Sequence, residues 1–228
     1  MALIVRAFPV RNREGVDAFV REVKERGEEA RAFYQRFGVR REGWFYQQAQ
    51  DGAFVIGVTD IADPVEPKAE EYAAEEEGFA AWFKSRVYAL SGVDPDTAPL
   101  GAVTEQVHAS KTGPLARGAT LIVRAYPIRN REALLDFARE LREKPRDARG
   151  FYERHGVEES WFVQDIGGAP MAIAVASTDD PDRAARTFAE SQDPFDVWFK
   201  QRVIEVSGVD PNVTPLGPPS EQIFDFEE

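Results

Sequence analysis

Two histidines and no cysteine stand in this chain of 228 residues, so acid–base chemistry must come from histidine, carboxylate, tyrosine or a cationic side chain. Disulfides, thiolate metal sites and cysteine nucleophiles are excluded. Arg6 and Arg124 occupy the same place in two nearly identical phrases, LIVRAFPVRNRE from Leu3 and LIVRAYPIRNRE from Leu121, each within an apolar run. A guanidinium taken out of water needs an acceptor, since an uncompensated buried charge costs several kcal/mol. A carboxylate, enolate or phenolate ligand would supply one. His108, in EQVHA, is the base nearest neutrality at a predicted inward position. It could take a proton from a carbon acid or phenol while Arg6 stabilises the developing oxyanion. Its counterpart in EQIFD is Phe224, so the copies have diverged there and one half is the better candidate for chemistry.

Each candidate has a plainer reading. A histidine on a strand is often structural, and Arg6 and Arg124 could pair with Glu105 or Glu221 if a bulge at the start of the fourth strand turns those acids inward. His155 replaces Phe37 at the end of a helix. Arg11, Arg13, Arg129 and Arg131 could draw an anion to a cavity mouth or simply be solvated at a helix start. Asp94 and Asp96 have a faint look of metal ligands, but Asn212 replaces the second acid in the other copy, which favours turn chemistry. No glycine-rich phosphate loop, zinc spacing or Ser/His/Asp signature occurs, so no cofactor and no metal is implied.

The elements that must position these residues come in duplicate. Residues 2–39 and 120–157 share 21 identities over 38 positions at an offset of 118, against about two or three for unrelated segments. The offset falls to 117 at Trp44 and Trp161 and to 116 at Trp82 and Trp198, and each deletion is expected in a loop. SKTGPLARG has linker composition. The expected organisation is repeat 1 over 1–112, a linker over 113–117 and repeat 2 over 118–228.

Within each half, LIVRAFPV or LIVRAYPI reads as a strand, with Asn12 or Asn130 capping the helix that follows. That helix is expected to break at Gly27 and at Pro145. WFYQQ with FVIGVT, and WFVQD with MAIAVA, read as strand pairs. A second helix carries Trp82-Phe83 or Trp198-Phe199 as core and stops at Ser-Gly. A last strand follows, EQVHA or EQIFDF.

Strand, helix, strand, strand, helix, strand is the order of the ferredoxin-like fold. With its duplication, the sequence resembles the dimeric α/β-barrel superfamily as a tandem-repeat member. The resemblance implies an α+β fold of two tandem ferredoxin-like βαββαβ repeats pairing their antiparallel sheets into one intramolecular α/β barrel. Alternation then decides which side chains face the lumen. Val55, Gly57 and Thr59, like Ala172, Ala174 and Ala176, form a row of small residues, which is assigned to the interior; the larger aliphatics are assigned to the helices. By that phase Arg6, Gln47 and Gln106 with Arg124, Gln164 and Gln222 face inward, among Phe8, Phe45, Tyr126, Phe162 and Phe224. This set reads as a ligand pocket, with His108 and Arg6 as the catalytic pair.

The net charge of −12 and pI near 4.8 oppose phosphate-backbone binding, so no nucleic acid is expected as a partner. No stretch approaches the ~20 apolar residues of a membrane span, and MALIVRAFPVRNRE is too quickly charged for a secretory signal. No membrane partner is therefore expected, and the expected compartment is the cytoplasm. The predicted partner is a small molecule, bound by a monomer or homodimer. Two functions fit: a cofactor-independent enzyme of isomerase, cyclase or monooxygenase type acting on an anionic or aromatic compound, or a non-catalytic binding or stress-type scaffold with a filled barrel.

Overall fold

A computed structural model describes residues 2–49, 52–93, 104–166, 168–211 and 220–228; Asp94, Asp96 and Asn212, with the Pro-rich loops around them, lie outside the described residues. The protein is α+β. The elements run β1 (Ala2–Val10), α1 (Arg13–Glu25), α2 (Gly27–Arg36), β2 (Val39–Ala49), β3 (Gly52–Ile61), α3 (Glu66–Ala74), α4 (Gly78–Ser91) and β4 (Glu105–Ala109). They continue with β5 (Thr120–Pro127), α5 (Arg131–Glu143), α6 (Pro145–His155), β6 (Val157–Ile166), β7 (Ala169–Thr178), α7 (Pro181–Glu190), α8 (Pro194–Ser207) and β8 (Ser220–Glu227).

The local signals act as read. Asn12 accepts from the Gly15 amide and Asn130 from the Ala133 amide at the starts of α1 and α5, meeting donors that the first helical turn leaves unmet. The first helix of each half breaks between α1 and α2 at Arg26 and between α5 and α6 at Lys144, where Pro145 starts the new segment. Gly92 and Gly208 end α4 and α8 at φ of 72° and 79°, a left-handed turn that a Cβ would penalise. The long second helix of each half is, in addition, divided in two, as α3 with α4 and α7 with α8.

Two four-stranded antiparallel sheets form, in the orders β1-β3-β2-β8 and β4-β6-β7-β5. The split βαβ core is present in each, but the fourth strand of each sheet comes from the other sequence repeat. Two compact units result: Met1–Val103 with Glu221–Glu228, and Thr104–Ser220. EQVHA and EQIFDF are alike enough for either to complete either sheet, so the pattern of the strand carries no choice of partner. One expected loop deletion also lies inside a strand. Val39 pairs with Ile61 and Arg41 with Asp60, so the additional Arg40 is a β-bulge in β2.

In the first unit Phe19 stacks on Trp44 with ring centroids 5.2 Å apart and meets Phe83 at 5.3 Å. In the second, Phe151 stacks on Phe199 at 4.3 Å and Phe137 packs on Trp161 at 4.9 Å. These contacts show which face the helices cover, and it is the opposite of the expected one. The small row, with Arg6 or Arg124, faces the helices, because helices that bring phenylalanine and tryptophan need small partners across the layer. The aliphatic row Val5, Ile56 and Val58 is completely buried on the other face.

Candidate active site

Strand register places the charged residues. Arg6 stands opposite Gly57, which stands opposite Trp44; one rung along, Ile4, Thr59 and Glu42 line up. In the second unit the matching rungs are Arg124, Ala174 and Trp161, then Ile122, Ala176 and Glu159. A carboxylate therefore shares the face of each arginine, whereas the inward set expected from the sequence held amides and aromatics beside the arginines. The glutamines do not: Gln47 pairs with Phe54 and Phe45 with Ile56, and Gln164 pairs with Met171 and Phe162 with Ile173. Those four residues are buried on the opposite face. Adjacent strands put directly paired residues on one side of the sheet, so Arg6 and Gln47 cannot line one pocket.

In the second unit a cavity of about 590 Å³ lies between sheet and helices, lined by Arg124, Glu159, His155, Phe151, Phe188 and Phe199 among others. Ala174, Ala176, Ala184, Ala185 and Ala189 also border it, and their small side chains explain its size. It lies in the roughly 300–1,000 Å³ range of small-molecule sites. Glu159 faces this space. Desolvation raises its pKa to about 7, against the opposing effect of hydrogen bonds from Trp161 and Tyr152. Desolvation lowers the pKa of Arg124 and raises that of Tyr126, which is buried on the same strand face.

His108 belongs to this unit, not to the one containing Arg6. A register shift between Gln106 and His108 separates their faces: the imidazole turns toward the helices beside Trp161, with ring centroids 4.6 Å apart, while Gln106 is exposed. Its Nε2 lies 2.8 Å from the Tyr152 hydroxyl. Burial, with a smaller effect from the Arg142 charge, takes its pKa down to about 4, so at neutral pH it is uncharged. Glu159, not His108, has the acidity of a base near neutrality. Glu159, Tyr152 and His108 thus form a continuous hydrogen-bonded series, and His108 borders a second cavity of about 640 Å³ with Lys111, Arg142 and Glu158.

The first unit repeats the pattern with changes. Glu42 accepts from Trp44 Nε1 at 2.7 Å, and desolvation raises its pKa to about 7 although Thr59 and Trp44 hydrogen-bond to it. Phe224 stands in the place of His108, stacked on Trp44 at 4.3 Å. Gln222 is exposed. Glu221 and Glu105 bind Arg13 and Arg131 at the surface, and Arg13 covers the Tyr46 ring; the structural pairing expected for those acids is with these arginines. His155 has both nitrogens engaged, Nε2 with Asp196 at 2.8 Å and Nδ1 with Thr187 at 3.0 Å, in a network that also ties Arg154 and Ser191 to Asp196. The missed residues had a sequence signal: a glutamate two positions before Trp-Phe, and a Phe-Tyr pair, recur in both halves.

No family model matches the chain, and no curated protein matches it in sequence. Among solved structures, an anthrone oxidase-like protein aligns at 12% identity over 99% of this chain and 92% of its own, with a TM-score of 0.53. A provisionally named monooxygenase from Fusobacterium nucleatum subsp. nucleatum aligns at 10% identity over 99% and 94%, with a TM-score of 0.50. At such identities the likeness is one of fold, and it extends over nearly the whole of this chain.

Proposed function

We propose that the second unit is a monooxygenase-type active site for a hydroxylated aromatic or readily enolised compound. The observation that carries this reading is the placing of Glu159 and Arg124 on adjacent rungs of one sheet, both lining the 590 Å³ cavity. Glu159 takes the proton from the substrate carbon or hydroxyl, and the Arg124 guanidinium stabilises the oxyanion that forms. The Tyr152 hydroxyl orients the Glu159 carboxylate and links it to neutral His108, which passes the proton toward the second cavity. The phenylalanines exclude water and hold the ring.

The electron-rich anion is then the partner for dioxygen. For a benzylic methylene the balance is CH₂ + O₂ → C=O + H₂O: two C–H bonds break, one oxygen atom enters the product, the other leaves as water, and the substrate supplies all the electrons. The names of the two structural neighbours support oxygen chemistry over isomerisation or cyclisation. Oxygen-electrode measurements with polycyclic phenols and anthrone-type compounds test the reading. Oxygen uptake that falls at least a hundredfold in Glu159→Gln supports it; tight binding of such compounds with no uptake in the wild-type protein leaves a binding protein instead.

A further inference from the structure

The first unit carries the same two rungs around a different space. Thr59 stands where the second unit has Ala176, and two smaller cavities of about 90 and 170 Å³ are both bordered by Arg6 and Glu42. The larger one is walled by Phe33, Phe37, Tyr72 and Phe83. Tyr34 also borders it, is 3% exposed, and its hydroxyl has no hydrogen-bond partner among the described residues. In the other unit the hydroxyl of Tyr152 meets both His108 and Glu159; here Phe224 offers only a ring, 6.3 Å away between centroids, and Glu42 is bonded to Thr59 and Trp44 instead. A buried hydroxyl left unmet is costly, so it marks a place where a polar group of a ligand is accommodated. A cavity of about 150 Å³ with apolar walls takes a benzene-sized molecule, and this one adds the Tyr34 hydroxyl, the Glu42 carboxyl and the cationic ends of Arg6 and Lys68 at its edge.

We propose that the first unit holds a separate binding site for a single-ring phenol, whose ring fills the 170 Å³ cavity and whose hydroxyl bridges Tyr34 and Glu42. The site is independent of the chemistry assigned to the second unit. Toluene leaves Tyr34 unmet.

Titration of the full ¹⁵N-labelled chain with 4-fluorophenol, read from the amide shifts of Tyr34, Thr59 and Ile61 around the 170 Å³ cavity and so apart from any binding in the second unit, tests the site. Saturable binding is expected with a Kd below about 1 mM, weakened roughly threefold to tenfold in Tyr34→Phe, the loss of one neutral hydrogen bond. Tyr152→Phe, the matching change in the other unit, leaves the Kd unchanged. 4-Fluorotoluene binds wild type and Tyr34→Phe alike. Tyr34→Phe removes only an unmet hydroxyl, so its melting temperature is expected to hold or rise. No saturable binding of 4-fluorophenol, equal affinity in wild type and Tyr34→Phe, or a loss that follows Tyr152→Phe overturns the proposal.

Discussion

Replacing Glu42 by glutamine is expected to stabilise the protein at alkaline pH and to do nothing at acid pH. Burial moves the Glu42 pKa from the ordinary value of 4.5 to about 7, so the folded state holds a proton that the unfolded chain releases. The stabilisation from that proton is complete below pH 4.5 and is lost as the pH rises through about 7. A difference of two to three pH units corresponds to about 3 kcal/mol, which is an upper bound because local rearrangement relieves part of it. Glutamine is neutral throughout and keeps an oxygen to accept from Trp44 Nε1. The variant should therefore match wild type at pH 4 and exceed it by up to about 3 kcal/mol at pH 8.

Urea denaturation at the two pH values, followed by tryptophan fluorescence, measures the difference directly. Comparing the two proteins at each pH cancels the other titrating groups. That matters because His108 acts in the opposite sense: its pKa is lowered from 6.5 to about 4, so its stabilisation is present above pH 6.5 and is lost as pH falls through 4. The wild-type profile alone would mix the two. The slope of each transition checks that the chain's two compact units unfold together. A Glu42→Gln variant that is less stable than wild type at pH 8, or that differs from it equally at pH 4 and pH 8, refutes the reasoning.

Arg124→Met should weaken binding of an anionic or enolised aromatic by roughly tenfold to a hundredfold, the loss of a charge-assisted hydrogen bond, as read by calorimetry. His108→Phe gives the second unit the residue that the first has at Phe224; substrate affinity should be unchanged while turnover falls about tenfold and the solvent isotope effect changes, whereas a structural role for His108 would lower stability and leave the isotope effect alone. Asp196→Ala strips a fully buried carboxylate from His155, Arg154 and Ser191 and should cost about 3 kcal/mol in urea denaturation; a cost under about 1 kcal/mol would show the network to be dispensable.

Element order was legible because each half repeats it and because local signals agree with it: Asn12 and Asn130 cap, Pro145 starts a helix, and Gly92 and Gly208 stop one. What alternation could not supply was the identity of each strand's neighbour. EQVHA and EQIFDF read as fourth strands, yet nothing in five or six residues says which of two similar sheets they complete. That exchange moved His108 out of the half that holds Arg6 and into the half that holds Arg124. The bulge at Arg40 was hidden for a related reason, since a one-residue deletion in an alignment looks the same in a loop and in a strand.

The candidate site failed at a finer point of the same kind. Arg6 and Gln47 each fit an inward position on their own strand, but a face is shared between strands only through register, and a shift of one residue exchanges every side chain between faces. The shift replaced Gln47 and Phe45 by Glu42 and Trp44 beside Arg6, and so put a carboxylate of raised pKa next to a guanidinium where only amides were expected. Side-chain size misled in the same direction: a row of alanines suggests an empty lumen when the sheet is considered alone, but opposite Phe151, Phe188 and Phe199 it is the complement of large helical side chains. In the second unit that complement is incomplete, because Ala176 stands where the first unit has Thr59 and alanines line α7. The unfilled remainder is the cavity that Glu159 and Arg124 face.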